Sequence, residues 1–458
     1  MRSLSLAELC VPLAARLVGD DVMFDSVSTD SRAISRGDLF VALTGDNFDA
    51  HAFLPQVAQA GAGAALVAAG TATTLPTLQV EDTQRALGKL GAYNRGLFTG
   101  TLVAITGSNG KTTAKNMIHA VLSQAGSTLA TDGNFNNEIG VPLTLLRLHP
   151  GVEYAVVEMG AAKAGDIRWL CELGRPAIGV LLNAMPAHLE GFGSVADVAA
   201  AKGEIFDDLG AADYAVINAD QPFAKQWRRR AKEARVLDFG LEQPAAITAR
   251  DIQTRGLQGV SFTASTPDGD IAMRLLLSGR HNVANALAAT AVGLACGLSL
   301  IAIRDGLESL RPVEGRLRVL AGVAGAALID DCYNANPGSV RAAIDTLVDC
   351  SGRRTLVLGA MRELGPDADK LHAEIGEYAR AAGLDALVGV GAEVAAATDA
   401  FGAGARQFAT REQAAAALAQ ELTADDILLI KGSRSSGMEL VLHALSAQRE
   451  AGEGMNTC

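Results

Sequence analysis

Thr101-Leu102-Val103-Ala104-Ile105, running on into Thr106-Gly107-Ser108-Asn109-Gly110-Lys111-Thr112-Thr113, is the stretch whose reading decides the fold of this chain. An apolar run with β-branched members stops abruptly at Gly107–Gly110, and a helix-like pattern then runs from Lys111 to Gln124. Periodicity and breakers together read as a buried strand, a tight turn and a helix. Such a turn is where a phosphate cradle is built. Glycines let backbone N–H groups converge on an anion, and the helix N-terminus adds a partial positive charge. On that reading Gly107, Ser108, Asn109, Gly110, Lys111, Thr112 and Thr113 surround a nucleoside triphosphate. Lys111 reaches the β- and γ-phosphates, and the Thr112 hydroxyl ligates Mg2+. The spacing departs from G-x-x-x-x-G-K-[ST], because Ile105 stands where the first glycine would; the loop is T-G-x-x-G-K-T-T. The plain alternative is a turn that holds Gly-Lys-Thr by chance, and the strand before it and helix after it argue against that.

Working outward, Tyr154–Glu158, Ile178–Asn183 and Tyr214–Asn218 read as further strands separated by helices, the pattern of βαβ units and a parallel sheet. Upstream, Leu39–Leu43 and Ala64–Ala68 are expected strands and Leu54–Ala60 a helix. The start, Met1 to Leu17, is interrupted by Glu8 and Pro12 and is read as the first helix of a domain rather than a signal peptide. Downstream of Arg311-Pro312, Ala326–Asp330, Arg354–Leu358, Ala386–Val390 and Asp426–Ile430 read as strands of another α/β sheet. The expected architecture is α/β in three domains: a smaller N-terminal α/β domain over residues 1–98, a central P-loop parallel sheet over 99–310, and a C-terminal Rossmann-like α/β domain over 311–458.

Bulk composition narrows the partners. A net charge of −12 argues against nucleic acid, whose backbone needs a cationic face, but leaves room for an anionic small substrate in a local basic pocket. The six cysteines are scattered without a C-x-x-C pair, which indicates neither zinc nor a disulfide framework and suits a reducing compartment. No uninterrupted apolar run reaches about 18 residues, so no membrane span is expected and the cytoplasm is the expected location. Glu158 ends its apolar strand and so lies at the carboxyl edge of the sheet, where open α/β folds bind ligands. It reads as a Mg2+ ligand, or else as an acid capping the next helix.

The loop T-G-S-N-G-K-T-T is similar to the nucleotide loop of the Mur ligases, ATP-dependent enzymes that extend the peptidoglycan peptide, and the similarity runs from about Ser28 to Glu439. Four segments carry the rest of it: Gly133-Asn134-Phe135-Asn136-Asn137 with Ile139–Leu143; Pro186–Gly193; Tyr333-Asn334-Ala335-Asn336-Pro337; and Leu358-Gly359-Ala360-Met361-Arg362-Glu363-Leu364-Gly365. Within the family they point to the activity that joins D-alanyl-D-alanine to UDP-N-acetylmuramoyl-tripeptide. A relative that adds diaminopimelate or lysine would carry Asp-Asn-Pro-Arg in its third domain, and this sequence has none. Two positions depart from the family pattern: Ala50 stands where glycine is expected, and Ser436-Gly437 replaces alanine and a larger residue in Lys431–Glu439.

The resemblance implies roles residue by residue. Lys111, His188, Lys202 and Arg316 become the catalytic set. Thr112, Glu158, His188 and a carbamylated Lys202 hold metal, the conversion of a cation to an anionic oxygen ligand suiting hard Mg2+. Asn282 and Asn285, on one helical face, contact adenine, although Asn282 also reads as a helix cap. Arg316 reaches the γ-phosphate, and Asp331, Tyr333, Asn334 and Asn336 close over the nucleotide. Ser28, Asp30, Ser31 and Arg32 serve the uridine-diphosphate end of the substrate, with Asn47, Asn136 and Asn137 on the same substrate. ATP and Mg2+ are the implied cofactors, and a monomer is expected. Two rival readings share the loop. One is a folate polyglutamate-type ligase, disfavoured by the long N-terminal block and Tyr333–Asn336. The other is a P-loop switch, which has no use for His188, Lys202 or an acceptor domain.

Overall fold

The computed structural model describes residues 1–45, 48–186 and 189–447, so the expectations placed on Asn47 and His188 lie outside the described residues. The chain divides into two compact units. The first comprises Met1–Asn183, Ala199–Ile247 and Ala288–Gly306; the second comprises Ala184–Val198, Thr248–Leu287 and the residues from Leu307 on.

Among the described residues, two main sheets and two two-stranded ribbons lie in the first unit. In the larger, six parallel strands run in the order Thr128–Ala130, Tyr154–Glu158, Thr101–Thr106, Ile178–Leu181, Tyr214–Asn218, Arg235–Gly240. Leu102 to Ile105 and Ala155 to Val157 are fully buried. Parallel strands covered on both faces show up as unbroken apolar runs, which is why these were readable from sequence. The smaller sheet orders Arg16–Val18, Thr77–Val80, Ala64–Ala68, Leu39–Val41, Val27–Ser28, with only Arg16–Val18 antiparallel. Helices Leu6–Leu13 and Thr83–Gly96 pack on one of its faces and Leu54–Ala60 on the other.

The expected single helix over Met1–Leu17 is corrected. Ser5 and Glu8 form a capping box, so the helix starts only at Leu6; Ala14, in a left-handed conformation (φ 51°), stops it after Leu13. Arg16–Val18 then pairs with Thr77–Val80 as an edge strand. A short strand's tertiary pairing overrode the local apolar pattern. The helix after the phosphate loop likewise ends at Leu122, short of Gln124.

An antiparallel meander, Ile247–Thr254, Val260–Thr266 and Gly269–Leu275, belongs to the second unit from Thr248 on, and the sequence reading did not anticipate it. Its alternating burial (Val260, Phe262 and Ala264 buried, Ser261 and Thr263 less so) is the signature of a sheet with one covered face. The remaining sheet orders Arg318–Ala321, Ala327–Asp331, Asp426–Lys431, Arg353–Gly359, Ala386–Val390, Ala405–Phe408, all parallel except the first. Helices Pro337–Val348, Ala368–Ala381 and Ala395–Phe401 cover one face, Arg411–Glu421 and Glu439–Leu445 the other. The chain therefore leaves Asp426–Lys431 toward one face and both neighbouring strands toward the opposite face. That makes the carboxyl end of Asp426–Lys431 a topological switch point, where open α/β sheets take ligands.

Candidate active site

The same topology positions the phosphate loop. From Thr101–Thr106 the chain crosses one way, to Thr128–Ala130, whereas from Tyr154–Glu158 and Ile178–Leu181 it crosses the other way. With right-handed crossovers the following helices leave by opposite faces, and a crevice opens at Gly107–Lys111. Gly110 precedes the helix in a left-handed conformation (φ 81°), which favours glycine, and a Cβ on Gly107 would come within 3.1 Å of Leu182 Cβ. Lys111 folds back so that its Nζ donates to Gly107 O at 2.8 Å. An ammonium resting on the loop's own carbonyl is poised to exchange it for phosphate.

Asn183, which ends the neighbouring strand region, braces this loop through three hydrogen bonds. Ser108 N donates to its carbonyl at 3.1 Å, Asn109 N to its Oδ1 at 2.9 Å, and its Nδ2 returns a bond to Asn109 O at 3.0 Å. Sequence reasoning marked Asn183 only as a strand end, and nothing local in the sequence distinguishes it.

Beside the cradle, Glu158 is buried (2% exposed) with both oxygens engaged. Thr112 Oγ1 donates to Oε2 at 2.9 Å and Asn136 Nδ2 to Oε1 at 2.8 Å. The reading of Glu158 as a mere helix cap has no support in these contacts. Its backbone N–H is held by Thr131 Oγ1 at 2.9 Å, and Thr131 O in turn takes Lys115 Nζ at 2.6 Å. Lys115 is a buried lysine on the inner face of Lys111–Leu122 that the sequence reading passed over. Asn137 is used differently from its neighbour: its Oδ1 accepts the N–H groups of Ile139 and Gly140 and so turns the chain into the helix Gly140–Leu146.

Lys202 closes the helix Val195–Lys202 and is almost wholly buried. Burial first, and then the Lys111 charge, pull its amine down from the usual 10.5 to about 7. Hydrogen bonds hold the chain on either side of it. Trp227 Nε1 donates to Ala199 O at 3.0 Å, and Glu204 accepts the N–H groups of Gly165 and Arg168. Among the described residues no three His, Cys, Asp or Glu side chains cluster as a metal cage.

In the smaller sheet's loop, Asp30 and Arg32 pair bidentately, Arg32 Nε to Oδ1 at 2.9 Å and Nη2 to Oδ2 at 2.8 Å, while Ser28 Oγ donates to Asp30 O at 3.0 Å. The hydrogen bonds from Arg32 hold the Asp30 carboxyl at about 2. Arg32 remains open to solvent, and Ser31 sits between the paired residues on the same turn.

In the second unit, Asn282 Nδ2 donates to Ser278 O at 2.8 Å and Asn285 Nδ2 to Asn282 Oδ1 at 3.2 Å, so the two amides do share one buried helix face. The Asn282 oxygen takes Asn285 rather than a backbone N–H of the first turn, which is not how a cap works. Desolvation lowers the pKa of the neighbouring, partly buried His281 from its usual value. The Arg316 guanidinium lies over the Tyr333 ring, 4.3 Å from its centre, and Gly315 N donates to Asp330 Oδ2 at 2.8 Å. Lys431, fully inside, reaches Asp331 Oδ2 at 2.5 Å and Asn334 O at 2.8 Å. It ties together two residues that the sequence reading had selected without their tether. Asn336 Oδ1 accepts Ser339 N–H and caps the helix Pro337–Val348.

Residues 105–293 match the Mur ligase middle domain and residues 315–434 the Mur ligase glutamate ligase domain. The UDP-N-acetylmuramoyl-tripeptide–D-alanyl-D-alanine ligase of Escherichia coli (strain K12) is 44% identical over 448 residues, 97% of this chain and 99% of that protein. The crystal structure of MurF from Acinetobacter baumannii superposes with a TM-score of 0.92 at 34% identity, over 97% of this chain and 98% of that one. The MurF ligase of Thermotoga maritima in complex with ADP does so at 0.82 and 30% identity, over 92% and 96%. These matches bear out the three-domain α/β architecture and the ATP dependence expected from the loop. With two Mur ligase domains matched and these full-length likenesses, the chain belongs to the Mur ligase family.

Proposed function

We propose that this enzyme joins D-alanyl-D-alanine to the tripeptide carboxylate of UDP-N-acetylmuramoyl-tripeptide, driven by ATP, in the cytoplasmic synthesis of peptidoglycan precursors. The single observation that carries the reading is the 44% identity along 97% of the chain to the Escherichia coli ligase of that name. A free carboxylate is a poor electrophile, since its leaving group is oxide. Transfer of the γ-phosphoryl group makes an acyl phosphate; the amine then attacks, phosphate departs, and the tetrahedral oxyanion between needs positive charge. The cradle's backbone N–H groups and Lys111 take the triphosphate, Lys111 leaving Gly107 O for the phosphates. Arg316 carries the cation for the γ-phosphate. Asn282 and Asn285 face the adenine, and Tyr333, Asn334 and Asp331, braced by Lys431, line the nucleotide.

The donor set fits Mg2+. The Thr112 hydroxyl and the Glu158 carboxylate, hydrogen-bonded at 2.9 Å, are hard oxygen donors of the kind Mg2+ would take. Carbamylated Lys202 and His188 complete the proposed set. A buried amine at about 7 leaves a substantial neutral fraction near physiological pH, and only the neutral amine adds to CO2. When bound, the ion neutralises phosphate charge as it shifts. In this proposal residues 1–98 hold the uridine-diphosphate end through Ser28–Arg32, residues 99–310 hold ATP, and residues 311–458 contribute to nucleotide and dipeptide binding. Asn136, which donates to Glu158, is assigned to the tripeptide end of the substrate, and that contact beside the cradle supports the assignment.

The test is phosphate release from purified enzyme with ATP, Mg2+ and UDP-N-acetylmuramoyl-tripeptide, with and without D-alanyl-D-alanine. Dipeptide-dependent release and a pentapeptide product are expected. Release that ignores the dipeptide, with no pentapeptide by mass spectrometry, overturns the assignment.

A further inference from the structure

The loop after Arg353–Gly359, residues Ala360 to Gly365, stands beside the carboxyl end of Asp426–Lys431, on one flank of the switch point. The other flank is filled by the Lys431–Asp331 pair. The loop is pinned at three points. Ser433 N donates to Ala360 O at 3.0 Å, and Arg362 N donates to Ser433 Oγ at 2.8 Å. The third pin comes from the helix behind. His372, 1% exposed, accepts the Met361 N–H on Nε2 at 3.1 Å, and its Nδ1 is 2.8 Å from Ala368 O. A backbone N–H can only donate, so Nε2 is unprotonated and the ring is the neutral Nδ1–H tautomer, donating to Ala368 O. Beyond these pins Glu363 is left-handed (φ 62°), a conformation that non-glycine residues hold only when their surroundings impose it. The loop's one cation, Arg362, is half exposed and paired to the equally open Glu393 at 2.7 Å. Such a rim pair exchanges its carboxylate readily.

We propose that His372 is a positioning residue for dipeptide capture: it sets the backbone of Met361–Gly365 so that the Arg362 guanidinium receives the α-carboxylate of the incoming D-alanyl-D-alanine in place of Glu393. This rests on the ligase reading above. The chemistry fits the substrate, because a dipeptide that reacts through its amine keeps a free carboxylate that a planar guanidinium binds with two parallel hydrogen bonds. His372 touches no substrate and acts only through the Met361 N–H. A glutamine at that position places an amide oxygen near Nε2 and restores the acceptor; alanine does not.

The experiment compares wild type, His372→Ala, His372→Gln and Arg362→Ala, with D-alanyl-D-alanine and its C-terminal carboxamide as amine substrates. Wild type is expected to prefer the acid. Arg362→Ala should lose that preference. His372→Ala should raise KM for the acid about tenfold, the scale of one hydrogen bond to a buried donor, with KM for ATP and for the sugar nucleotide within about twofold. His372→Gln should return KM toward wild type. Hydrogen exchange at Met361 should speed up in the alanine variant and not in the glutamine variant, a readout that needs no turnover. An Arg362→Ala enzyme that still prefers the acid overturns the carboxylate assignment. A His372→Ala enzyme whose three KM values rise together, or whose loop exchange is unchanged, overturns the positioning role. Wild type without dipeptide-dependent phosphate release would instead refute the ligase reading itself.

Discussion

Replacing Asn183 with alanine removes both side-chain hydrogen bonds to the Asn109 backbone and leaves the Ser108 N–H bond to the residue 183 carbonyl in place. Asn109 is partly exposed, so water recovers some of the loss, and each bond is worth about 0.5–1.5 kcal/mol net. Together that is about 1–3 kcal/mol, or roughly 5- to 150-fold in affinity for a nucleotide that needs the loop preformed. Asn183→Asp separates the two bonds. It keeps an acceptor for Asn109 N–H but turns a carboxylate toward Asn109 O and toward the phosphates, so it should bind ATP more weakly than the alanine variant. The assay is dipeptide-dependent phosphate release over a range of ATP concentrations, with thermal unfolding in parallel. KM for ATP should climb in both variants while KM for the dipeptide holds. If KM for ATP stays within about twofold of wild type in both, the brace contributes nothing to the cradle. If Tm and every KM move together, Asn183 supports the fold and not the loop.

Four further outcomes follow from the same geometry. Lys111→Ala should abolish turnover while the sugar nucleotide still binds by calorimetry; retained turnover would mean the loop is misread. Glu158→Gln keeps partners for Thr112 and Asn136 but gives up the charge, so saturation should require about tenfold more Mg2+ or beyond, and an unchanged Mg2+ titration contradicts its role. Lys202→Met should inactivate the enzyme yet stabilise it below pH 7 in CO2-free buffer. The folded amine sits at about 7 against an ordinary 10.5, so between those values the unfolded chain binds the extra proton and stability rises with pH. Below pH 7 the whole penalty of a buried ammonium is present. The difference, 10.5 − 7 = 3.5, corresponds to a ceiling of about 5 kcal/mol; a gain that is equal at pH 6 and pH 9.5 in urea denaturation refutes the titration. Leu429→Ala, in a fully buried position of Asp426–Lys431, should cost about 2–5 kcal/mol in the same assay, with less than 1 kcal/mol pointing to a core that collapses around the cavity.

The amino-acid order alone was enough for the strand–loop–helix at Thr101–Thr113, the buried parallel strands and the neighbouring acid Glu158. Each is a local signal: an unbroken apolar run, a glycine-bounded turn, an acid at a strand's carboxyl end. It was not enough for Arg16–Val18, the meander from Ile247 to Leu275, or the end of the first helix at Leu13, since short or half-covered strands are chosen by their pairing partners. The site divides the same way. Lys111, Thr112, Glu158, Asn282 and Asn285 were legible by type and spacing or by family resemblance. Asn183, Lys115, His372 and the tether from Lys431 to Asp331 and Asn334 were not, because their partners lie far off in sequence or because a buried polar side chain looks like any other until its donor and acceptor are placed. The sequence thus determined the strand–loop–helix and which polar groups stand at its turn. The tertiary structure decided what holds them still, and how far burial and the Lys111 charge pull down the Lys202 amine, for hydrogen-bond geometry and desolvation exist only once the chain has closed around them.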